Sequence, residues 1–403
     1  MKKILIVGNG GREHAISWNL ANDPNISKVV NIPYRKNFAE VLNLIKKESV
    51  GLTIIGPEGP LADGIVDFLN SQGVRNVFGP TRKMARIESD KFYSYELMGE
   101  LGIPQANSVR CVSVGEVEDA IKEFEEPVLK CRGLARGKGV RVYSSQEKAR
   151  MDLSSFVKEF GEEILVAERL RGQEFSVFGI ADGENVLPFD IAFQDHKPVY
   201  DGDKGPNTGG MGAYGPVEIA PKKLVNKIAE DILMPIVRKI NYKGFIYAGM
   251  MLTDKGLKVI EFNARFGDPE AQPAMMMLEN SLYSPIALSL EGKVCQAKLT
   301  FKEGASCCVV LASKGYPNFF QTGLPISGID EAEEMQDVKI FHSATKFEDG
   351  KWLTDGGRVL GVTSYSEKGI EEAQRLAYEA VKKINVPGGF HYRTDIAGKV
   401  ITK

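Results

Sequence analysis

Residues 258–270 read KVIEFNARFGDPE and contain the residues whose types and spacing are best suited to chemistry. In an extended strand, side chains two positions apart point to the same face. Glu261 and Asn263 therefore project together and offer two hard oxygen ligands, suited to Mg²⁺ or Mn²⁺ that holds a polyphosphate. Arg265 lies one step further along that face and could brace a phosphoryl group. The alternative is a half-buried strand whose polar residues face water.

Two glycine-rich segments could receive anions. GNGGREH (8–14) lies between a predicted strand and a predicted helix, where backbone N–H groups can bind a phosphate or a carboxylate. It is not a dinucleotide fingerprint, because Glu13 occupies the position of the third glycine. GLARGKG (133–139) places three glycines and two cations on a predicted hairpin, which could fold over triphosphate oxygens with Lys138 at hand. A tight turn and a flexible surface hairpin are the respective alternatives.

Two lysines are further candidates. Lys130 follows the apolar run 127–129 in a predicted strand, where a lysine usually has an anionic partner. Lys91 follows Glu88 and Asp90 in a predicted helix, and a solvated helix face is its default interpretation.

Two acidic residues flank a predicted turn. Glu168 and Glu174 lie on either side of residues 170–172, and one acid at such a turn could accept ribose hydroxyls. Surface charge is the ordinary interpretation of both. No arrangement of Ser, His and Asp or of Cys and His indicates a protein nucleophile, and the chain has four histidines. Catalysis by positioning, cations and a metal ion is therefore favoured.

Composition limits the class of protein. The 403 residues predict about two or three domains, and 43% hydrophobic residues with 42 glycines suit a globular α/β protein. A net charge of −2 gives no electrostatic support for partners such as nucleic acid or a membrane surface. The five cysteines form no metal-binding spacing, and reduced thiols in a cytoplasmic protein fit their odd number. The first apolar run, residues 4–7, is too short for a signal peptide or a membrane span.

The elements that must position these residues follow from apolar periodicity. Over about the first hundred residues, short β-rich runs alternate with helices and predict a doubly wound parallel sheet. A helix is predicted from Lys83 to Leu101, ended by Gly102 and Pro104. Two hairpin-like strand pairs, within 127–143 and 163–183, flank a predicted helix at 145–160 and indicate a small α+β lid.

A larger mixed unit and a final portion complete the predicted organisation. The larger unit contains the glycine-rich loop 201–216, a helix at 220–240 and a strand at 245–253, and the final portion begins near residue 307. The predicted domains are therefore 1–103 (substrate domain), 104–187 (lid), 188–306 (central domain with the metal site) and 307–403 (C-terminal domain).

Taken in order along nearly the whole chain, these segments resemble the phosphoribosylamine–glycine ligase family of ATP-grasp enzymes. The matching segments are GNGGREHA, GPEGPLADGIV, VFGPT, Lys130 with GLARGKGV, QDHKPVYDGDKGPNTGGMGAYGP, YAGMML, VIEFNARFGDPE, GGRVLGV and HYRTDI. The resemblance implies an ATP-grasp fold with an N-terminal doubly wound parallel α/β domain, an α+β lid, a central domain and a small C-terminal domain. ATP would lie between the lid and the central sheets.

The resemblance also implies roles for individual residues. Those implied for ATP binding are Lys91, Lys130, Gly133, Gly137, Lys138, Gly139, Glu168, Leu170 and Glu174. Mg²⁺ or Mn²⁺ would be held by Glu261 and Asn263. The implied catalytic residues are Arg265, Lys130, Asp203 and Asn207, and the implied substrate contacts are Gly10, Gly11, Arg12, Glu13, Asp268 and Glu270.

The implied reaction is the phosphorylation of a carboxylate by ATP, followed by attack of an amine on the acyl phosphate to form an amide. Metal and cations would neutralise the charge that builds during phosphoryl transfer, and lid closure would protect the acyl phosphate from water. The implied role is in purine biosynthesis, with small-molecule amine and amino-acid substrates, in a monomer or homodimer.

The chain departs from the family pattern at specific places. A PGNxGT-type loop is expected after the first helix, where this chain reads VVNIPYRKNFAEVL (29–42). An RLKSDL-like stretch is expected after GDPE, where this chain reads AQPAMMMLENSL (271–282), so that methionines and Leu278 replace an Arg and a Lys near the second substrate. Arg35 and Lys36 are possible replacements for the lost cations, and plain helix packing is the alternative explanation of Met275–Met277.

Two smaller departures from the family pattern occur, and three candidate functions follow from the sequence. Arg132 stands where an Asp is usual, and Ala167 where the adenine turn usually has Glu. The first candidate function is the family's own ligase activity. The second is a paralogous amide ligase that uses a different amine or amino acid in a specialised pathway, and the third is a nucleotide-binding regulatory protein without turnover.

Overall fold

The amino-terminal sheet forms from four short apolar runs. In the computed structural model, which describes residues 1–135 and 137–401, strands β1 (Lys2–Val7), β2 (Ile26–Ile32), β3 (Leu52–Ile55) and β4 (Val77–Phe78) pair in parallel in the order β2-β1-β3-β4. The helices of this region are α1 (Gly11–Ala21), α2 (Phe38–Glu48), α3 (Glu58–Asp63), α4 (Ile65–Ser71), α5 (Arg86–Ser89) and α6 (Lys91–Glu100). Ile4 and Ile6 pack in the same core as α1, whereas Leu5 and Val7 pack with α2 and α4. Because helices cover both faces, the predicted doubly wound parallel sheet is confirmed.

The helix predicted from Lys83 to Leu101 is interrupted, so that prediction is wrong in its continuity. Asp90 adopts an extended conformation between α5 and α6, and its carboxylate accepts a hydrogen bond from the Tyr93 N–H at 3.2 Å. Asp is among the preferred N-cap residues, because its side chain satisfies an N–H group of the first turn. A new helix therefore begins at Lys91.

The lid is a four-stranded antiparallel sheet covered by two helices. Its elements are β5 (Ser108–Cys111), α7 (Val114–Ile121), β6 (Pro127–Cys131), β7 (Val140–Val142), α8 (Gln146–Phe160) and β8 (Ile164–Glu168), with strand order β5-β8-β6-β7. Buried side chains such as Leu129, Phe156 and Val166 form its separate core. Arg136, one of the two cations of the glycine-rich loop, lies outside the described residues.

The central region contains eight strands. They are β9 (Gln173–Asp182), β10 (Val186–Pro188), β11 (Gln194–Asp195), β12 (Pro198–Tyr200), β13 (Lys204–Asn207), β14 (Gly212–Gly215), β15 (Lys243–Thr253) and β16 (Gly256–Asn263). The antiparallel sheet that faces the lid has the order β10-β9-β15-β16. Because β9 pairs with β15, the predicted second hairpin of the lid is wrong: β8 and β9 belong to different sheets.

The helix predicted at 220–240 is present in three parts. Helices α9 (Lys222–Ile228) and α10 (Met234–Ile240) are joined by a π-helical segment, Ala229–Leu233. Pro235 lacks an N–H group, and the wider π turns accommodate its ring next to the preceding turn. Helices α11 (Ala271–Met277) and α12 (Tyr283–Leu290) and a short 3₁₀ turn (Val294–Gln296) follow the central sheet.

The last sheet draws strands from two parts of the chain. The remaining elements are β17 (Ala305–Ser313), β18 (Pro325–Ile326), α13 (Ile329–Glu333), β19 (Val338–His342), β20 (Thr345–Glu348), β21 (Lys351–Thr354), β22 (Arg358–Ser366), α14 (Ile370–Val381), β23 (Phe390–His391) and α15 (Gly398–Ile401). The strand order β11-β14-β17-β22-β19 shows that β11 and β14 extend the C-terminal sheet. The glycine-rich segment around β14 is thereby held between the central and C-terminal sheets. Across residues 1–135 and 137–401, no helix combines the length and apolarity needed to cross a membrane.

Candidate active site

One large cleft, with a volume of about 1760 Å³, is lined by all four parts of the fold. Hereafter it is the central cleft. The residues predicted from the sequence that line it are Gly10, Arg12, Lys91, Lys130, Gly137, Lys138, Gly139, Glu168, Leu170, Glu174, Asp203, Asn207, Glu261, Asn263, Arg265, Asp268 and Glu270. Three predicted site residues, Gly11, Glu13 and Gly133, are not among its lining residues.

The predicted metal pair lies at the end of β16. Glu261 pairs with Gly249 across the β15–β16 ladder, and Asn263 pairs with Tyr247. A Cβ atom at residue 249 would lie 3.3 Å from the Glu261 Cγ, so the glycine leaves room for the carboxylate. The strand ends at Asn263, and Arg265 therefore lies beyond it rather than on the same strand face.

The charge state of Glu261 is set by the cations around it. Burial alone would raise the pKa of this carboxyl, but the positive charges of Lys197, Lys91 and Lys130 outweigh burial and hold it below its usual value. Nucleotide-bound Mg²⁺ is typically held by one or two protein carboxylates together with phosphate oxygens and waters. An ionised Glu261 beside the Asn263 amide oxygen fits that donor set. Among the described residues, no group of three or more His, Cys, Asp or Glu side chains could hold a metal ion.

Lys130 reaches across from the lid to the central sheet. The β15–β16 register shifts between Gly249 and Met250, which leaves Ile260 without a paired residue. The Ile260 carbonyl accepts a hydrogen bond from the Lys130 Nζ at 3.3 Å. Burial lowers the pKa of Lys130, and the negative charge of Glu261 opposes that shift. The expectation that this lysine has an anionic neighbour is met by Glu261.

Lys197 is a functional candidate that the sequence analysis did not single out. Its Nζ lies 3.4 Å from Asp195 Oδ1 and 3.5 Å from Glu174 Oε2, and the residue lines the central cleft. Burial would lower the pKa of Lys197, but the neighbouring negative charges raise it well above its usual value. A permanent cation therefore stands near Glu261. Its position in the long QDHK segment was the available sequence signal.

Lys91 contacts the lid from the start of a helix. It is the first residue of α6, and its Nζ donates to the Gly133 carbonyl at 3.0 Å. Its backbone N–H donates to the Arg132 carbonyl at 2.9 Å. The side chain is half-exposed, as the solvated-face interpretation expected, but it also has a specific partner, because α6 begins directly against the glycine-rich loop of the lid.

Arg265 is held by two acids from the amino-terminal part of the chain. Its NH2 lies 2.9 Å from Glu88 Oε1, and its Nε lies 3.4 Å from Glu58 Oε2. Burial raises the pKa of Glu88 to about 7, although Arg265 opposes the shift. The other Glu88 oxygen accepts from the Ala264 N–H at 2.7 Å. This cluster fixes the guanidinium at the edge of the central cleft.

The first glycine turn satisfies much of its own hydrogen bonding. Glu13, which is 2% exposed, accepts from the Gly10 N–H at 2.9 Å and from the Arg12 Nε at 2.7 Å. The Arg12 NH1 in turn donates to the Phe266 carbonyl at 3.2 Å. Glu13 thus acts on the turn itself, whereas Gly10 and Arg12 face the cleft. The predicted substrate contacts in this turn stay predictions.

Asp268 and Glu270 occupy two different environments. Asp268 is paired with Arg358 at 2.8 Å and accepts from the Gln272 Nε2 at 2.9 Å. Glu270 is 2% exposed and accepts a hydrogen bond from the Ser176 hydroxyl at 3.2 Å. Burial and the negative charge of Asp195 raise the pKa of Glu270 to about 7. Asp268 is therefore ionised at neutral pH, whereas Glu270 lies between its protonated and ionised forms.

The predicted nucleotide contacts line the lid side of the cleft. The Glu168 carboxylate accepts from the Asn107 N–H at 2.8 Å, which shapes the turn that follows β8. Gly137 has φ +79°, and a Cβ there would lie 2.8 Å from the Thr208 carbonyl oxygen, so only glycine allows this approach. The Lys138 Nζ donates to the Pro317 carbonyl at 3.2 Å. The glycine-rich loop therefore touches both the 201–216 segment and the C-terminal domain.

Asp203 is committed to an ion-pair cluster at the edge of the cleft. Its Oδ1 lies 2.9 Å from the Arg393 NH1 and 4.0 Å from the His196 Nδ1, and Lys399 pairs with its other oxygen. The nearby His196 and the hydrogen bonds from Lys399 and Arg393 hold the pKa of Asp203 far below its usual value. Asn207 ends β13 and lines the same edge. The catalytic roles predicted for both residues stay predictions.

The family assignment follows from comparison with known proteins. Models of the N domain, the ATP-grasp (A) domain and the C domain of phosphoribosylglycinamide synthetase match residues 2–88, 89–271 and 306–399. The chain belongs to the phosphoribosylglycinamide synthetase family. The resemblance predicted from the sequence is thereby confirmed.

Relatives match over full length. Phosphoribosylamine–glycine ligase of Rhodopirellula baltica is 39% identical over 430 residues, covering 99% of this chain and 98% of the relative. The enzyme of that name from Caldanaerobacter subterraneus is 38% identical, covering 98% and 99%. The solved structure of phosphoribosylamine–glycine ligase from Thermotoga maritima matches with a TM-score of 0.81 and 32% identity, covering 98% and 100%. Biotin carboxylase from Campylobacter jejuni matches at 14% identity with a TM-score of 0.73, which supports the ATP-grasp fold alone.

The departures from the family pattern have different structural outcomes. Met275, Met276 and Met277 lie in α11 and are 0%, 5% and 1% exposed, so they pack in the core and do not line the cleft. Arg35 and Lys36 are exposed on the connection before α2, and neither is among the residues that line the cleft. The structure therefore does not bring these two cations to the site in place of the missing ones.

Proposed function

We propose that this protein is an ATP-dependent ligase that joins glycine to phosphoribosylamine, giving glycinamide ribonucleotide, ADP and phosphate. The observation that carries the proposal is full-length similarity to enzymes of that name, at 39% and 38% identity, across all three family domains. The central cleft supports it with half-buried cations beside an oxygen-ligand pair. The proposed setting is purine biosynthesis in the cytoplasm, where free cysteines stay reduced.

ATP binding is assigned to the space between the lid and the central sheet. In the proposal, Lys91 and Lys130 contact phosphates and the 133–139 loop covers them. The turn at Glu168–Leu170 holds adenine and Glu174 binds the ribose. Backbone N–H groups and ammonium groups suit phosphate oxygens because they supply positive charge without needing to lose a proton.

The metal is assigned to Glu261 and Asn263. When bound, Mg²⁺ or Mn²⁺ would neutralise the charge that develops on the phosphates during transfer. Glu261 is suited to bind the metal because the positive charges of Lys197, Lys91 and Lys130 keep its carboxylate ionised.

The reaction proceeds in two balanced steps. A glycine carboxylate oxygen attacks the γ-phosphorus, and the bond to the β–γ bridging oxygen breaks with release of ADP. The phosphoribosylamine nitrogen then attacks the acyl carbon, the C–O bond to phosphate breaks, and the nitrogen loses a proton. Lys197 and Arg265 are proposed to stabilise the negative charge of these states, because both are half-buried cations at the cleft. Glu270, with a pKa of about 7, is suited to accept the proton.

A paralogous ligase with a different amine is the second candidate. The observation that favours it is that Arg35 and Lys36, the possible replacements for the missing cations, do not line the cleft, since a 5′-phosphate generally needs cations or a helix N-terminus. Full-length similarity to named phosphoribosylamine–glycine ligases supports the first candidate more strongly.

Substrate omission tests the proposal. Purified protein is supplied with Mg-ATP, glycine and freshly generated phosphoribosylamine, and ADP is measured with each component left out in turn. We expect ADP only in the complete mixture. ADP with glycine and some other amine, but none with phosphoribosylamine, would support the second candidate. ADP release without either substrate, or no turnover with any amine and acid, would overturn the ligase assignment and favour a nucleotide-binding regulator.

A further inference from the structure

Arg132 makes a bidentate ion pair with Asp90 where α5 and α6 meet the lid. Its Nε donates to Asp90 Oδ1 at 2.9 Å, and its NH2 donates to Asp90 Oδ2 at 2.8 Å. Its NH1 donates to Glu163 Oε1 at 2.7 Å. A planar guanidinium fits a carboxylate in this geometry, and an ammonium group does not.

Asp90 is the residue that starts α6. Its carboxylate caps the helix through the Tyr93 N–H at 3.2 Å and also accepts from the Arg86 NH2 at 3.1 Å. Burial would raise the pKa of Asp90, but the hydrogen bonds from Arg132 and Arg86 hold it at about 2. The capping carboxylate is therefore ionised whenever the enzyme works, and a second acid at residue 132 would repel it.

The backbone completes the connection. The Lys91 N–H donates to the Arg132 carbonyl at 2.9 Å, and the Lys91 Nζ donates to the Gly133 carbonyl at 3.0 Å. The Arg132 N–H donates to the Glu163 carbonyl at 3.0 Å, which anchors the same residue to the start of β8. The Lys91 side chain thus contacts the first residue of the glycine-rich loop directly, while the Arg132 backbone joins the start of α6 to the start of β8.

We propose that Arg132 is a positioning residue for the nucleotide triphosphate: it fixes Lys91 against the glycine-rich loop by clamping the Asp90 cap. The proposal rests on the proposed function, because it takes Lys91 and the 133–139 loop as phosphate contacts. Arg132 itself is not among the residues that line the central cleft. Its effect on catalysis is therefore transmitted through Asp90 and Lys91.

A purely structural role predicts a different pattern of effects. The Arg132 side chain is 38% exposed, and ion pairs at such sites contribute little to global stability. Misplacing Lys91 would weaken phosphate binding without changing the sites for glycine and the amine. The discriminating quantity is therefore KM for ATP compared with KM for glycine and with the melting temperature.

The experiment measures these quantities in wild type, Arg132→Ala, Arg132→Lys and Arg132→Asp. Two matched controls leave the ion pair between Arg132 and Asp90 in place. Glu163→Gln removes the second acidic partner of Arg132, and Arg375→Ala removes an exposed arginine with two acidic partners in α14. We expect KM for ATP to rise about tenfold in Arg132→Ala, as for loss of one contact to a charged group. Arg132→Lys should not return KM for ATP to the wild-type value, and Arg132→Asp should have the highest KM for ATP of the series.

KM for glycine should stay within about twofold of wild type in every variant, and both controls should bind ATP normally. In the combined Asp90→Ala/Arg132→Ala variant, KM for ATP should be no higher than in the more affected single variant, since both changes remove the same ion pair. An unchanged KM for ATP in Arg132→Ala, or an equal rise in KM for glycine, would overturn the proposal. Equilibrium binding of a non-hydrolysable ATP analogue is measured in the same variants, so the clamp is tested even if wild type makes no glycinamide ribonucleotide; that failure would count against the proposed function alone.

Discussion

The Arg358 NH2 donates to Asp268 Oδ2 at 2.8 Å and joins the C-terminal sheet to the segment that follows the metal pair. The NH1 of the same guanidinium donates to the Asp268 carbonyl at 2.9 Å and also to the Gly209 carbonyl. One half-buried arginine thus joins β22, the GDPE segment and the glycine-rich segment before β14. The sequence contained Arg358 within the matching GGRVLGV string but gave no indication of its partner.

Removing this arginine should destabilise the whole site. Arg358→Met removes the nearest counter-charge of the half-buried Asp268 carboxylate, and we expect a loss of about 1–3 kcal/mol in the free energy of unfolding. Urea unfolding followed by fluorescence measures it. The paired change Arg358→Met/Asp268→Asn should recover part of that loss, because no isolated buried charge remains. A loss below about 1 kcal/mol in the single variant would contradict the structural role.

The metal assignment is tested at Glu261. Glu261→Ala should lower kcat by about a hundredfold or more, because it removes an oxygen ligand and its charge from the transferring phosphates. The melting temperature should stay close to that of wild type. Asp254→Ala, in the exposed turn of the same β15–β16 hairpin, is the matched control and should keep full activity. Full activity in Glu261→Ala at saturating Mg²⁺ would refute the metal role.

Lys130 should matter for nucleotide binding. Lys130→Met keeps the length of the side chain and removes its charge, so we expect ATP to bind about ten- to a hundredfold more weakly. Isothermal titration with a non-hydrolysable ATP analogue measures this affinity. Lys122→Met, an exposed lysine of the same lid, serves as the control and should bind normally. Equal affinities for wild type and Lys130→Met would remove Lys130 from the phosphate site.

Two histidines should make stability depend on acid pH. The backbone N–H of His342 donates to His14 Nδ1 at 2.9 Å, and burial lowers the pKa of both imidazoles to about 4. Unfolded imidazoles bind protons near pH 6.5, so the unfolded state takes up protons first as the pH falls. The contribution of the pair is therefore complete above about pH 6.5 and is lost progressively toward pH 4.

His14→Gln provides the measurement for this pair. Glutamine can still accept the hydrogen bond but does not titrate, so the variant should lose about 2 kcal/mol less stability than wild type between pH 7 and pH 4.5. Chemical unfolding across that range measures the difference. Parallel stability profiles for variant and wild type would show that His14 does not titrate with folding.

The methionines of α11 should act through packing. Met275→Ala should cost about 2–5 kcal/mol in the free energy of unfolding, since its side chain is fully buried. KM for the amine should not change, because the residue does not line the cleft. Met151→Ala, at an 85% exposed position, should leave both quantities unchanged. A raised KM for the amine with normal stability would instead assign α11 to substrate recognition.

Local sequence patterns predicted the elements better than their partners. The alternation of Ile4 and Ile6 with Leu5 and Val7 sufficed for a sheet covered on both faces, because burial on each face follows from a period of two. The pairing of β9 with β15 rather than β8 depends on contacts about seventy residues apart, which no local pattern contains. The break at Asp90 was readable as an N-cap, and was missed because helix-favouring residues flank it.

The candidate site shows the same division. Glu261, Asn263 and Lys130 were found because their types were unusual in their strands, and the fold brings them to one cleft. Lys197 became visible only when Asp195 and Glu174 were seen beside it. Glu13 was implied as a substrate contact by the family resemblance alone. Its carboxylate accepts a hydrogen bond from the Gly10 N–H of its own turn, a partner that no sequence pattern indicated, and its substrate role stays a prediction.

The most direct test of the account follows oxygen atoms from glycine. Glycine labelled with ¹⁸O in its carboxylate is incubated with the protein, Mg-ATP and fresh phosphoribosylamine, and product and phosphate are analysed by mass spectrometry. The account predicts glycinamide ribonucleotide with one ¹⁸O in its amide carbonyl, and an equal amount of phosphate carrying one ¹⁸O. Unlabelled phosphate, or ATP consumption without glycinamide ribonucleotide, would contradict it.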